Sequence, residues 1–232
     1  MPDMETASEP RQTGGPLGIP ERVYFRVKPL IPKRLRFFLR RTRVPGIMKR
    51  SADVWPIDLA SGQAPADWKG WPGGKQFALV FTPDVESRQG LGKIRALAEL
   101  EMAHGFRSSF NLIPEGVYED SPELRKWLVG NGFEIGVHDL NHDGFLFESR
   151  DSFGRKAESI NSYLKQWGAV GFRAGFMFSQ LDWFHDLNVA YDTSTFDTDP
   201  FEPQPGGTRT IFPFHVPAPA GVNRPGYVEL SY

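Results

Sequence analysis

The chain has 232 residues, with 27 Lys and Arg against 28 Asp and Glu and no cysteine. Its length and 40% hydrophobic content permit one sizeable core and exclude a wholly disordered chain, a collagen or a disulfide-stapled miniature; the lack of cysteine removes thiolate metal sites and cysteine nucleophiles. The near-neutral total hides an asymmetry, because residues 1 to 50 carry 12 basic and 4 acidic residues while residues 51 to 232 carry 15 and 24.

Residues 1 to 20 are rich in Pro, Gly, Glu and Thr, too polar to offset chain entropy by burial, and are expected to be mobile. They contain no apolar signal segment, and no run approaches the roughly 20 apolar residues of a membrane helix. The expectation is a cytoplasmic protein, with cell-envelope association as an alternative. After Pro32, the run Lys33-Arg34-Leu35-Arg36-Phe37-Phe38-Leu39-Arg40-Arg41 sets Leu35, Phe38 and Leu39 on one face among cations, predicting a short basic amphipathic helix. Such a helix suits either contact with an anionic surface through residues 33 to 50 or packing on its own domain. Residues 51 to 75, with Trp55-Pro56, Trp68, Trp71-Pro72 and Gly73-Gly74, read as an aromatic connector packed on the domain. The expected organisation is a tail over 1–20, a basic arm and connector over 21–75, and a domain over 76–232.

From residue 76 apolar runs of strand length alternate with segments of helical period, the pattern of βα units around a parallel sheet. Strands are predicted over 77–85, 108–113, 133–137, 169–173 and 189–193, with helices over 91–104, 121–129, 152–167 and 181–187 between them. The first helix presents Leu91, Ile94, Ala98 and Met102 on its buried face and stops at Gly105; Ser121 and Pro122 open the second. Two further strand-like pieces, 210–216 and 227–230, have no helix between them. The predicted class is α/β, a distorted (β/α) barrel of about seven parallel strands. The 157 residues after position 75 fall short of the roughly 200 of a complete eight-fold barrel, so the barrel reads as incomplete at its C-terminal end.

Active groups of such barrels sit at the carboxyl ends of strands. The first strand ends at Thr82-Pro83-Asp84-Val85-Glu86, the third at His138-Asp139-Leu140-Asn141-His142, the fourth at Arg173 and the fifth at Asp192. If residues 84 to 86 stay extended, Asp84 and Glu86 point to one side, and one turn of helix would aim His138 and His142 at one point. A carboxylate with two histidines leaves open positions on a divalent ion, as metal-assisted hydrolysis requires. The residue after His138 is Asp139, which excludes the HExxH helix of zinc proteases. His215 lies in an apolar strand-like segment, and the acids Asp197, Asp199 and Glu202 lie in a proline-punctuated loop, read as solvated.

These residues resemble the polysaccharide deacetylases of carbohydrate esterase family four, over about residue 76 to the end. Thr82-Pro83-Asp84-Val85-Glu86 is similar to the Thr-His-Asp-Val-Asp form of that family's first motif. His138 and His142 match its second, Arg173-Ala174-Gly175-Phe176 part of its third, and Asp192 looks like its fourth. The resemblance implies Asp84 as general base, Glu86, His138 and His142 as ligands of a divalent metal, Zn²⁺ first and Co²⁺ or another ion as alternatives, Arg173 orienting Asp84, and Asp192 anchoring Arg173. It implies removal of N-acetyl groups from an amino-sugar polysaccharide as partner and substrate, with no nucleic acid. The chain departs from the family in Glu86 for aspartate, Pro83 beside the base, Gly175 for proline, and no late-motif histidine after residues 226 to 232. Those departures leave two alternatives: an inactive relic or glycan-binding module, and a cyclic amide hydrolase of the same superfamily.

Overall fold

The computed structural model describes residues 18 to 231, apart from 67, 203 and 223 and the side chains of 20, 21 and 29. The mobility expected of residues 1 to 20 therefore lies, up to residue 17, outside the described residues. In chain order the elements are α1 (Ile19–Val27), α2 (Lys33–Arg50), β1 (Asp84–Val85), α3 (Arg88–Leu91), α4 (Ile94–Ala103), β2 (Ser109–Leu112), α5 (Pro122–Gly130), β3 (Glu134–His138), α6 (Arg150–Trp167), β4 (Gly171–Arg173), β5 (Tyr191–Asp192), β6 (Phe214–Val216) and β7 (Tyr227–Glu229).

The strands form one sheet of seven in the order β1-β2-β3-β4-β5-β7-β6. Every pairing is parallel except that of β6 with β7, which is antiparallel. The α/β class and the count of seven are as expected; the one reversed strand is not. It follows from the short connection between β6 and β7, since a parallel return needs a crossover of a dozen or more residues, usually helical. The sheet is open, with β1 and β6 at its edges.

The middle of the sheet forms as its sequence dictates. β2 is buried at every position, and β3 at every position but Glu134, although Ser109 and Asn111 interrupt the apolar residues of β2. α6 covers them with Phe153, Ala157, Ile160, Leu164 and Trp167, spaced by fours and threes on one face. Ser149 caps its first turn by accepting from Ser152 N at 3.2 Å, and Gly168, at φ 65°, ends it in a left-handed conformation. Phe110, Phe153, Phe172 and Phe184 fill the core between sheet and helices.

The margins differ from the expectation. The strand predicted over 77–85 joins the ladder only from Phe81, whose carbonyl accepts from Ser109 N at 3.0 Å; Phe77, Leu79 and Val80 are exposed. Being at the edge, this segment has a neighbour on one side only, and a groove of about 490 Å³ runs between residues 80 to 83 and Leu97, Leu100, Glu101, His104 and Phe106. The helix predicted over 91–104 breaks at Gly92 and Lys93, and the one over 181–187 is a single 3₁₀ turn, Trp183–Asp186. The piece predicted over 210–216 is a strand only at Phe214–Val216.

The basic helix extends well past residue 41, to Arg50, and none of its residues is buried. Leu35, Phe38 and Leu39 are exposed, so packing of that face on the domain is not realised. The preceding α1 is docked instead. Its Phe25 is 8% exposed, with ring centroids 5.0 Å from Phe176, 6.0 Å from Phe145 and 6.1 Å from Phe178. Gly144, at φ 86°, lets the ring approach, because a Cβ there would meet Phe25 Cδ1 at 2.5 Å. In the connector, Trp68 and Trp71 pack on Phe212 and Trp55 on Phe201. No described helix is long and apolar enough to cross a membrane.

Candidate functional site

β1, β3 and β4 bring one residue each to the same place. Asp84 opens β1, His138 ends β3 and Arg173 ends β4, with His138 and Arg173 in register. Ligand atoms of Glu86, His138 and His142 all lie within 4.8 Å of one another. Glu86 Oε1 is 3.5 Å from His138 Nε2 and 3.3 Å from His142 Nε2. His138 and His142 are 2% and 12% exposed at their side chains, while Glu86 is 54% exposed, so the cluster has a closed back and an open front.

The two histidines converge by a different route from the expected helical turn. Asp139 and His142 adopt φ of 58° and 53°, a left-handed conformation costly for residues with a Cβ. The loop is held by Asp139, whose N–H donates to Arg173 O at 2.8 Å and whose Oδ1 accepts from Leu140 N at 2.7 Å. Arg173 O also accepts from His138 Nδ1 at 3.1 Å. A carbonyl can only accept, so Nδ1 carries a proton, and Nε2 is the nitrogen turned to the cluster, which gives its lone pair to an ion once its own proton is lost. This donor set, two imidazole nitrogens and one carboxylate, fits a borderline divalent ion such as Zn²⁺.

Hydrogen bonds from His138 and then His142 hold the Glu86 carboxyl far below the ordinary carboxylate range, against the opposing effect of burial. Burial pulls His138 down, but Glu86, Asp84 and the Arg173 carbonyl outweigh it and raise the net value.

Asp84 stands behind the cluster with both oxygens engaged. Oδ2 accepts from Arg173 NH1 at 3.0 Å and Oδ1 from Asn111 Nδ2 at 2.9 Å. Arg173, 3% exposed at its side chain, also donates from NH2 to Thr82 Oγ1 and from Nε to Thr193 Oγ1, each at 2.9 Å. Its guanidinium therefore ties the ends of β1, β4 and β5 to one point. Asp192 is fully buried one residue before Thr193, and its carboxylate accepts from Ser194 N and Ser194 Oγ. Its partner across the sheet is Glu229, in register on β7. His215 lies on the edge strand with an exposed side chain, near His185, away from these residues.

Two neighbours, Asn111 and Lys28, escaped the sequence reading, and Phe176 entered it only as part of the third motif. Asn111 sits inside the apolar run of β2, and a lone amide facing Asp84 in register is the signal that could have found it. Phe176, at φ 60°, stacks on His142 with centroids 4.4 Å apart. Lys28, from the arm, places Nζ 4.3 Å over that same ring. Only the fold brings it there.

No protein-family model matches this chain, and no curated protein matches it. Among solved structures it is similar to a protein from Mycobacterium smegmatis provisionally described as a polysaccharide deacetylase, with a TM-score of 0.53 and 18% identity. The alignment covers 75% of this chain and 63% of that one, so the chain spans less than two thirds of the length of the structure it matches. The likeness shows a shared fold.

Proposed function

We propose that this chain is a metal-dependent hydrolase that removes N-acetyl groups from an amino-sugar polysaccharide. The observation that carries the reading is the convergence of Glu86, His138 and His142 within 4.8 Å, beside an aspartate fixed by an arginine. The fold likeness supports it, as does the order of the motifs along the chain. A divalent ion held by Glu86, His138 and His142 would supply Lewis-acid charge to an amide carbonyl and its attacking water.

The protein's own groups account for the rest. Asp84, with each oxygen tied by one donor, keeps lone pairs free and takes the proton of the attacking water. Arg173 is a positioning residue: three hydrogen bonds fix its plane, and the plane fixes Asp84. Asp192 lies behind Arg173 and adds a negative charge on its far side. Once protonated, Asp84 is placed to return the proton to the leaving amine. Glu86, with one more methylene than aspartate, reaches both histidines from a short strand end.

The test is metal analysis of purified protein joined to acetate release from a chito-oligosaccharide. One equivalent of divalent metal, activity lost on chelation and restored by Zn²⁺ or Co²⁺, and loss of both metal and turnover in His138→Ala are expected. Asp84→Asn should keep the metal and lose about 10²-fold or more in kcat. No stoichiometric metal and no acetate release would overturn the proposal, and turnover of a cyclic amide alone would replace it with that alternative.

A further inference from the structure

The cations of the arm gather around one cavity. In α2, Lys33, Arg36 and Arg40 recur at spacings of three and four, which places them on one helical face. Together with Lys28 and Phe37 they line a cavity of about 180 Å³. Arg40 NH2 donates to Tyr24 Oη at 3.5 Å, and the acids near this group are Glu202, facing Arg40, and Glu86, facing Lys28. Glu86 is already engaged by two histidines.

Four cations around one small cavity repel one another, and nothing in the fold compels the arrangement. The first turn of α2 contains Lys33, Arg34 and Arg36 and no acid, opposite to the charge a helix start favours. Arg36 Nε is buried and has no hydrogen-bond partner among the described residues. Burial depresses the Lys28 ammonium, and Arg36 and Arg40 depress it further against the opposing pull of Tyr24 and Glu86. Local rules broken together, with a buried donor left over, are the mark of a binding site. Lys28 links the cavity's lining to the candidate centre, since its Nζ lies 4.3 Å from the centroid of the Phe176 ring that stacks on His142.

We propose that the cavity of Lys28, Lys33, Arg36 and Arg40 binds an anionic substituent, a carboxylate or a phosphate, of the sugar polymer whose amide enters the Glu86, His138 and His142 site. The inference rests on the hydrolase reading for its substrate and on the cavity alone for its charge. A planar guanidinium matches both oxyanions through paired N–H donors. An anionic membrane is the less fitting occupant: the cations converge on one small cavity instead of spreading along a face, and Lys28 of that cavity reaches the Phe176 ring that stacks on His142.

Titration calorimetry on the full chain tests this with three probes: inorganic phosphate, an oligosaccharide alternating N-acetylglucosamine with glucuronate, and a neutral chito-oligosaccharide of equal length. Phosphate and the acidic sugar should bind, with affinity falling as salt rises, and the acidic sugar should bind about tenfold or more tightly than the neutral one. Arg36→Gln should weaken the anions about tenfold and leave the neutral sugar's affinity near wild type; Arg36→Glu should abolish anion binding, with an unchanged circular dichroism spectrum showing that the fold persists. Equal binding of acidic and neutral sugars, or binding only to phosphatidylglycerol vesicles, would overturn the proposal. Binding needs no turnover, so intact phosphate binding in a protein that releases no acetate would count against the hydrolase reading alone.

Discussion

At the scale of single residues, the Arg173 peptide carbonyl and guanidinium divide the site between them. The carbonyl sets the His138 tautomer and pins the Asp139 loop, while the guanidinium sets Asp84. Asn111 is the second hand on Asp84, and its freedom depends on Gly136 across the strand pair. A Cβ at Gly136 would fall 2.1 Å from Asn111 Oδ1, the far end of a side chain that can rotate away. Gly136→Ala is therefore expected to leave the sheet near wild-type stability, within about 1–2 kcal/mol, yet to swing Asn111 off Asp84. The measurement is kcat against metal content: metal binding should persist while kcat falls about tenfold or more. Unchanged kcat would remove Asn111 from the positioning role.

Among the elements, α1 is held by one buried ring and by arginines at its rim, Arg22 NH2 donating to Glu148 O at 2.7 Å and Arg26 NH2 lying 3.7 Å from Glu148 Oε1. Phe25 is its buried residue among those described, seated on Phe145, Phe176 and Phe178 over Gly144. A buried Phe→Ala change typically costs about 3–5 kcal/mol, but an arm that can undock loses only its own docking energy. Phe25→Ala should therefore strip hydrogen-exchange protection from residues 19–27 while protection in β2, β3 and α6 stays; Gly144→Ala, which drives a methyl into the same ring from the other side, should do likewise. Equal loss across the sheet would show that the arm is integral to the core. The arm also marks where sequence reading stops. The strands around β2 to β4 were legible because short groups of apolar residues, such as Ile135 and Val137, alternate with segments of helical period, and His138 and His142 because their spacing at a strand end is itself a pattern. Lys28 and Asn111 were not, because each gains its place from contacts between segments whose separation along the chain carries no period. The stretch 77–80 misled for the converse reason: its apolar residues write a buried strand, and the sheet edge leaves them in solvent.

For the whole molecule, the join of β7 to β5 carries a buried carboxyl pair. Glu229 and Asp192 are both 0% exposed and in register. Thr195 donates twice to Glu229 Oε1, Ser194 donates twice to Asp192, and Glu229 Oε2 has no donor partner. Burial pushes Asp192 up to about 6 and Glu229 well above its usual value, so Glu229 keeps the proton and donates it to Asp192. Both groups bind protons more tightly folded than unfolded. Their stabilising contribution is complete below their unfolded values near pH 4 and is lost as pH rises, through about 6 for Asp192 and higher for Glu229. Glu229→Gln supplies a permanent donor, and it should gain on the wild type by on the order of 2 kcal/mol as pH climbs above about 7, read from urea midpoints. A constant difference across that range would mean that the pair does not share a proton.

The docking of Phe25 on Phe176 and Phe178 also orders events in time. On a growing chain Phe25 emerges about 150 residues ahead of its seat, on the order of ten seconds at typical synthesis rates. Through that interval the arm has no partner, and its cations hold an otherwise sticky apolar segment in solution. The mouth of the site thus forms only after β1 to β4, which carry its residues, so that an arm made early takes up its working position late.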